Sequence, residues 1–197
     1  MAVSEYALCT LVQVKQHLKK SGTDDDALLE ELINAASAAI ESKCRRQFRE
    51  RTYTDERHDG NGRSNVVFLR HRPIVSVDSL YDDPGRTFEA ISLIDPADYE
   101  VFGGEGYIVR VGVPFSVGVR NIKITYNAGS AEAPADIVEG AVLLTMDYFQ
   151  QSTPGGGHQG IKSEALPQGQ GTRTLEHGPM PQRVLALLAP YIRVEIA

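Results

Sequence analysis

An α+β fold is predicted by three observations on the sequence. Leu28, Leu29, Leu32, Ile33, Ala36, Ile40 and Cys44 recur at helical spacing, and Ile137, Val138, Ala141, Val142, Leu144, Met146 and Phe149 do so again far downstream. Between the two stretches lie short apolar runs separated by Asp-Pro, Asn and Gly clusters, the pattern of strands joined by turns. The gaps are too short for helical crossovers, so the strands are expected to be antiparallel. The expected architecture is a small helical bundle with an inserted antiparallel β subdomain. The bundle combines an N-terminal helix pair, a central helix and a short C-terminal helix.

The elements follow in order. Thr10 and Gln13 form a capping box, with hydroxyl to N3 amide and amide side chain back to the cap. The first helix is expected over Leu11 to about Lys20, ended by Gly22 in the left-handed conformation. Thr23 is the expected cap of the second helix, with Asp24, Asp25 and Asp26 at the positive end of its dipole. Ala35, Ala36, Ala38 and Ala39 leave room for another helix to approach closely. Arg51 to Arg57 alternates weakly, and His58 to Gly62 reads as a turn cluster.

Strands are expected at Val66–Leu69, Ile74–Tyr81, Ile91–Ile94, Tyr99–Phe102, Tyr107–Val113 and Val117–Tyr126. In the last, Ile122, Ile124 and Tyr126 mark the buried face. Pro134 opens the central helix. Gln151 to about Gly178 is Gly-rich and poor in large apolar residues, so it is expected to be a mobile loop or arm. Pro181 opens a final helix carrying Val184, Leu185, Leu187 and Leu188, and Pro190 ends it. One domain is expected over 1–197: helices in 10–48, the β-rich insertion in 50–126, a helix in 134–150, the loop in 151–178, and a helix with tail in 181–197.

Composition limits the function classes. At 197 residues the chain is long enough to bury a core, and its 42% hydrophobic and 23% charged content is that of a globular domain. A net charge of -6 disfavours tight nucleic-acid binding, which needs clustered cations, and an acidic surface would repel DNA. Cys44, on an apolar helical face, reads as a buried free thiol; a Cys9–Cys44 bridge is the alternative. The first ten residues lack a cationic start and apolar stretch, and no apolar run is long enough to span a membrane. The expectation is a soluble protein made inside the cell.

No catalytic signature stands out, and neither a cofactor nor a metal is implied. The five histidines have no metal-ligand spacing, and no GxSxG elbow is present. His58-Asp59 and Cys44 are the residues an enzyme would use, against their simpler roles in a turn and a core. Asp24 to Asp26 leads into helix rather than through a calcium loop, and Gly155 to His158 lacks the Lys-Ser/Thr of a phosphate loop. Lys43, Arg45, Arg46, Arg49 and Arg51 cluster where the second helix ends. They complement the helix dipole or form a patch for an acidic neighbour; DNA contact ranks third.

The ordered set Ala39 to Phe48 (AIESKCRRQF), Arg72 to Val77 (RPIVSV), Tyr126 to Gly129 (YNAG), Pro134 to Ile137 (PADI) and Leu187 to Tyr191 (LLAPY) resembles the head-tail connector, or adaptor, family of long-tailed phages and gene transfer agents. The resemblance is to its longer form, which carries a β-rich insertion. It implies a non-enzymatic structural protein of the virion neck, made in the bacterial cytoplasm of the host. Copies would assemble into a ring, commonly a dodecamer, that docks on the portal and lengthens the DNA channel. DNA would pass without specific binding, and a tail-completion or stopper protein would bind the other end.

By position, Ala35 and Ala39 on the second helix and the helix over Ile137 to Phe149 would make subunit contacts. Arg45, Arg46 and Arg49 would face an acidic neighbour, and Pro190, Tyr191 and Arg193 would belong to the portal-docking tail. The loop would face a neighbouring copy or a tail protein. After the central helix this chain has Gln150-Gln151-Ser152-Thr153-Pro154, where many members carry a charged segment. The competing class is a monomeric β-rich module binding a peptide or glycan through Tyr81, Tyr99 and Tyr107, residues otherwise expected to pack on sheet faces.

Overall fold

The computed structural model describes residues 2–152, 163–165, 172–174 and 180–192. The chain divides into two compact units, Met1–Arg46 with Ala133–Ala197, and Gln47–Glu132.

The first unit is helical. Helix α1 (Leu11–Leu18) opens with the predicted capping box: the Gln13 amide donates to Thr10 Oγ1 at 3.3 Å, and the Thr10 amide donates to Gln13 Oε1 at 2.8 Å. Lys19 rather than Gly22 takes the left-handed turn that ends it (φ 54°). Helix α2 (Asp26–Cys44) starts later than expected, because Asp25 and not Thr23 occupies the cap, with no side-chain cap bond. Asp25 instead pairs with Lys20, just past α1, and Asp26 with Lys15 of α1, at 2.5 and 2.6 Å. Those pairs help explain why the acidic run sits at this corner.

Leu29, Ile33, Ala36, Ile40 and Cys44 are buried as the periodicity requires, whereas Leu28 is exposed and Leu32 only half-buried. The segment before α1 joins the core through buried Leu8 and Cys9, and the Leu8 amide donates to Ser37 Oγ. Helix α3 (Ala135–Ser152) extends past the expected end at 150. Pro134 lies just before it and its carbonyl accepts the amides of Ile137 and Val138. Helix α4 (Gln182–Leu188) buries Val184 and Leu188 and ends before Pro190, which lies in a 3-10 turn over Ala189–Tyr191. Both cysteines are free and buried.

Within the segment read as an irregular loop, two short strands pair antiparallel, Ser163–Ala165 with Thr172–Thr174. The remainder of that loop lies outside the described residues.

The second unit is built of strands β1 (Arg51–Gly60), β2 (Val66–Phe68), β3 (Ile74–Asp82), β4 (Tyr99–Phe102), β5 (Tyr107–Arg110) and β6 (Gly118–Ala128). They form two antiparallel three-stranded sheets, ordered β1-β6-β3 and β2-β5-β4. One core joins them, centred on Leu80, Ile108, Phe115, Ile122, Ile124 and Tyr126. The His58 to Gly60 stretch is strand, not turn. Gly60 is required there because a Cβ would lie 1.9 Å from the Ser116 carbonyl oxygen. The expected strand at Ile91–Ile94 is instead a 3-10 turn over Ala90–Ser92. Ile91 is 94% exposed, and the segment meets β3 only where Leu93 bridges Tyr81 and Ile94 donates to the Leu80 carbonyl. Three apolar residues in a run of four cannot by pattern alone separate a strand from a turn with one buried anchor.

Candidate functional site

At the end of α2, Arg45 adopts the left-handed conformation (φ 49°), and the amides of Arg45 and Arg46 close on the carbonyls of Ser42 and Glu41. Lys43 and Arg45 are exposed, while Arg46 is half-buried. Cations placed here meet the negative end of the helix dipole. Tyr191 belongs to the same region. Burial, followed by nearby Asp136, raises its phenol pKa, and Arg46 acts in the opposite sense. Its hydroxyl lies 3.4 Å from Asp136 Oδ2, at the start of α3. Pro190 is exposed beside it. Arg193 lies outside the described residues.

Of the two alanines expected to make subunit contacts, Ala35 is exposed. Ala39 is half-buried and lines a cleft of about 540 Å³ with Tyr148 of α3 and with Met180 and Leu185 at α4. The helical unit thus brings Ala39, Arg46 and Tyr191 to surfaces built by α2, α3 and α4. Arg49 belongs to the β unit, where its Nη1 donates to the Ala131 carbonyl at 2.6 Å.

The motifs that carry the family resemblance in the β unit have a local reason. Gly129 (φ 120°) passes so close to Arg49 and Glu50 that a Cβ would stand 2.5 Å from the Arg49 carbonyl oxygen. Its amide donates to the Pro73 carbonyl at 2.9 Å, and Arg72-Pro73 is a cis peptide. The Ser130 amide and carbonyl bond Phe48 and Glu50 in turn. RPI, YNAG and the Phe48-Arg49 segment are therefore one junction, whose close backbone packing requires the glycine.

The residues weighed for catalysis are used structurally. The Cys9 thiol is pushed up to about 11 by burial, against a hydrogen bond with Thr145. Burial also raises Cys44, against the opposing pull of Arg46 and Lys43. Both are neutral thiols at physiological pH, unlike an activated thiolate. His58 Nε2 lies 2.8 Å from Glu56 Oε1 rather than on Asp59, and Asp59 Oδ1 instead accepts the Arg120 amide. Glu56 also accepts from the Tyr126 hydroxyl and the Arg70 amide. Among the described residues no group of three or more His, Cys, Asp or Glu side chains is placed to hold a metal.

The tyrosines of the binding-module reading do not line one concavity. Tyr81 packs edge-on to Phe88 beneath the Lys123 ammonium. Tyr99 pairs with Arg110 and packs on the core, and Tyr107 points to the opposite face of the β2-β5-β4 sheet. There Phe68, Tyr107 and Phe102 stand in register across three strands, an aromatic row that sequence reasoning missed. Its only sequence signal is alternation within β2 and β4, and the pairing of those strands through β5 is a tertiary fact.

The helices and inserted double sheet define an α+β fold that is similar to chains of gene transfer agent particles. A chain in the neck of an empty gene transfer agent particle, computed with C6 symmetry, matches at a TM-score of 0.65 and 18% identity over 100% of this chain and 95% of that one. One from the neck of a native gene transfer agent particle, computed with C12 symmetry, matches at 0.63 and 19%, over 100% and 94%. One from a native gene transfer agent virion matches at 0.63 and 20%, over 100% and 95%. No curated protein sequence matches the chain. The family model of the head completion protein matches residues 7–194, and the chain belongs to that family. It is a structural protein of the head-tail connector class.

Proposed function

We propose that this protein is the neck adaptor of a tailed phage, a prophage or a gene transfer agent, and that it works as a ring of identical copies. The observation that carries this reading is the end-to-end likeness, within one family, to chains in particle necks of C6 and C12 symmetry. Closed rotational assembly needs a heterologous interface, one patch meeting a different patch on the next copy. The ring docks on the portal, continues the DNA channel and receives a tail-completion or stopper protein. The net charge of -6 supports a conduit that passes DNA without holding it.

Ala35, Ala39, Arg45, Arg46 and Arg49 are assigned to contacts between copies, and the tail from Pro190 through Tyr191 and Arg193 to portal docking. Assembly takes place in the bacterial cytoplasm, and the mature location is the virion neck. The test measures mass in solution across a concentration range, alone and with the portal of the same particle, and images any large species. Rings are expected, at the latest on the portal. A chain lacking 190–197 should fold yet lose the portal. A protein that stays monomeric with portal present, or a truncated chain that still binds it, would overturn the corresponding assignment.

A further inference from the structure

The outer face of the β2-β5-β4 sheet is apolar where a solvated face should be polar. Phe68 pairs with Tyr107 and Tyr107 with Phe102, so the three rings stand side by side. Ring centroids lie 5.5 Å apart for Phe68–Tyr107 and 4.7 Å for Phe102–Tyr107, the latter nearly parallel at 18°. Val66 and Val109 continue the face, and Glu100 closes its row. Phe68 is 67% exposed. Contiguous apolar surface of this kind marks an interaction site.

A second apolar feature lies in the same unit, on the β5–β6 connection and the start of β6. Val111, Val113, Val117 and Val119 are 59%, 49%, 71% and 66% exposed. The segment is held rigidly. Phe115 is buried and its amide donates to the Ser64 carbonyl, the Ser116 amide donates to Asp82, and the Val111 amide donates to the Asp98 carbonyl. The valines are thus presented by a pre-organised loop, which lowers the entropy cost of docking. Charged side chains flank both features: the Arg72 side chain packs against Gly106 at the sheet's turn, and Asp59 accepts the Arg120 amide beside the valines. Glu100 and the exposed turn residue Glu105 lie at the sheet, while exposed Arg63 and Arg120 lie by the valine segment.

We infer that the aromatic sheet face receives the valine segment of the next copy in the ring. The inference rests on the ring reading above. Two different apolar surfaces on one chain, the sheet face carrying Glu100 and the valine segment Arg120, suit a head-to-tail contact, which a closed ring repeats at every joint. A fully covered aromatic side chain buries about 150–250 Å², and these three are already partly packed. The contact therefore falls short of the about 800 Å² per partner that a lasting pair needs. It is sufficient only when each copy makes it twice and the ring closes.

The test uses the full chain under conditions where the wild type assembles, alone or on the portal. Phe68→Glu and Val117→Glu alter exposed side chains, and circular dichroism checks that each still folds. Each should cut the assembled fraction by at least about tenfold, a loss of about 1.4 kcal/mol per interface. Glu100→Arg and Arg120→Glu should each weaken assembly, and their combination in one chain should restore it. That rescue cannot come from damaged folding. Rings that persist with either glutamate variant, or a charge pair without rescue, would overturn the contact and leave the connector reading standing. Glutamate variants that still form rings but lose the tail-completion protein would assign the face to that partner instead. A wild type that forms no ring even with portal would overturn both.

Discussion

The two compact units differ in how far their buried polar groups rely on distant partners. In the helical unit the buried Ser37 and Thr145 hydroxyls each donate to a carbonyl four residues back, at 2.8 and 2.7 Å. Each helix bonds its own polar side chain first, and the segment before α1 adds to both: Ser37 Oγ also accepts the Leu8 amide, and Thr145 bonds the Cys9 thiol. In the β unit the buried polar groups reach across the chain. Asn121, fully buried, accepts the Gly60 amide and donates to Asp82 and to the Ser116 carbonyl. Asp82, with its side chain 3% exposed, also takes Arg110 Nη1 at 2.7 Å and the Ser116 amide at 2.9 Å. Glu56 takes the Tyr126 hydroxyl across 70 residues of sequence.

The difference follows from geometry. A helix fixes its own register, whereas the pairing of β6 with β1 and β3 slips at four irregularities. A one-residue slip would expose the core face. Long-range polar contacts with unique partners penalise such slips, because a misregistered strand would leave them buried and unpaired.

The largest test of this contrast is Asp82→Ala. It strips the Arg110 guanidinium, the Ser116 amide and the Asn121 side chain of their shared acceptor. Removing one partner of a buried ion pair costs about 3–5 kcal/mol. Hydrogen exchange resolved along the chain should show β5, β6 and their connection losing protection, while α2 and α3 keep theirs. Equal loss in α2 would mean that the two units open as one and that the contrast has no energetic counterpart.

Legibility in the sequence divides along the same line. Helices α1 to α4 were readable because the information is local: a capping box at Thr10, a repeat through Leu29, Ile33, Ala36 and Ile40, and prolines at the ends. The residues bounding them were less so, since Lys19 and Arg45 turn left-handed where glycine is the usual signal. In the β unit, strands with alternating faces were readable. The Asp82–Asn121 contact, the bulges at Asp55 and Asp59, and the aromatic row of Phe68, Tyr107 and Phe102 were not, because each depends on which strands pair. Of the residues proposed for assembly, Ala39 lines the α2–α3–α4 cleft, where a small side chain leaves room between helices. Sequence spacing grouped Arg49 with Arg45 and Arg46, yet it belongs to the other unit and holds the Ala131 carbonyl.

A smaller effect, and one that depends on pH, is expected at Glu56. Burial raises its pKa, but hydrogen bonds from His58, Tyr126 and the Arg70 amide outweigh that and leave it below the ordinary carboxylate value. A carboxylate depressed in the folded state stabilises fully above its unfolded pKa of about 4.3 and loses that contribution as pH falls through the folded value. Glu56→Gln should cost about 1–3 kcal/mol near neutrality, and its deficit should shrink as the wild type is acidified below about pH 4.3. Urea melts of both proteins across the acid range check this. Curves that stay parallel throughout would remove Glu56 from the set of polar groups that hold the β unit.

The smallest effect is expected at the cap of α1, where the polar groups act locally. Thr10→Ala removes the hydroxyl that accepts the Gln13 amide and leaves the Gln13 side chain to hold one half of the box. Loss of such a cap costs about 1 kcal/mol. The cost should appear as faster exchange confined to the first turn of α1, since α1 buries only Val14 among its own residues. Lys15 and Lys20 would still anchor the end of that helix to Asp26 and Asp25. If Thr10→Ala instead lowered protection throughout α2 and α3, the cap would be helping to hold the whole bundle. The helical unit would then be as cooperative in its polar contacts as the β unit, and the distinction between local and long-range satisfaction would fail.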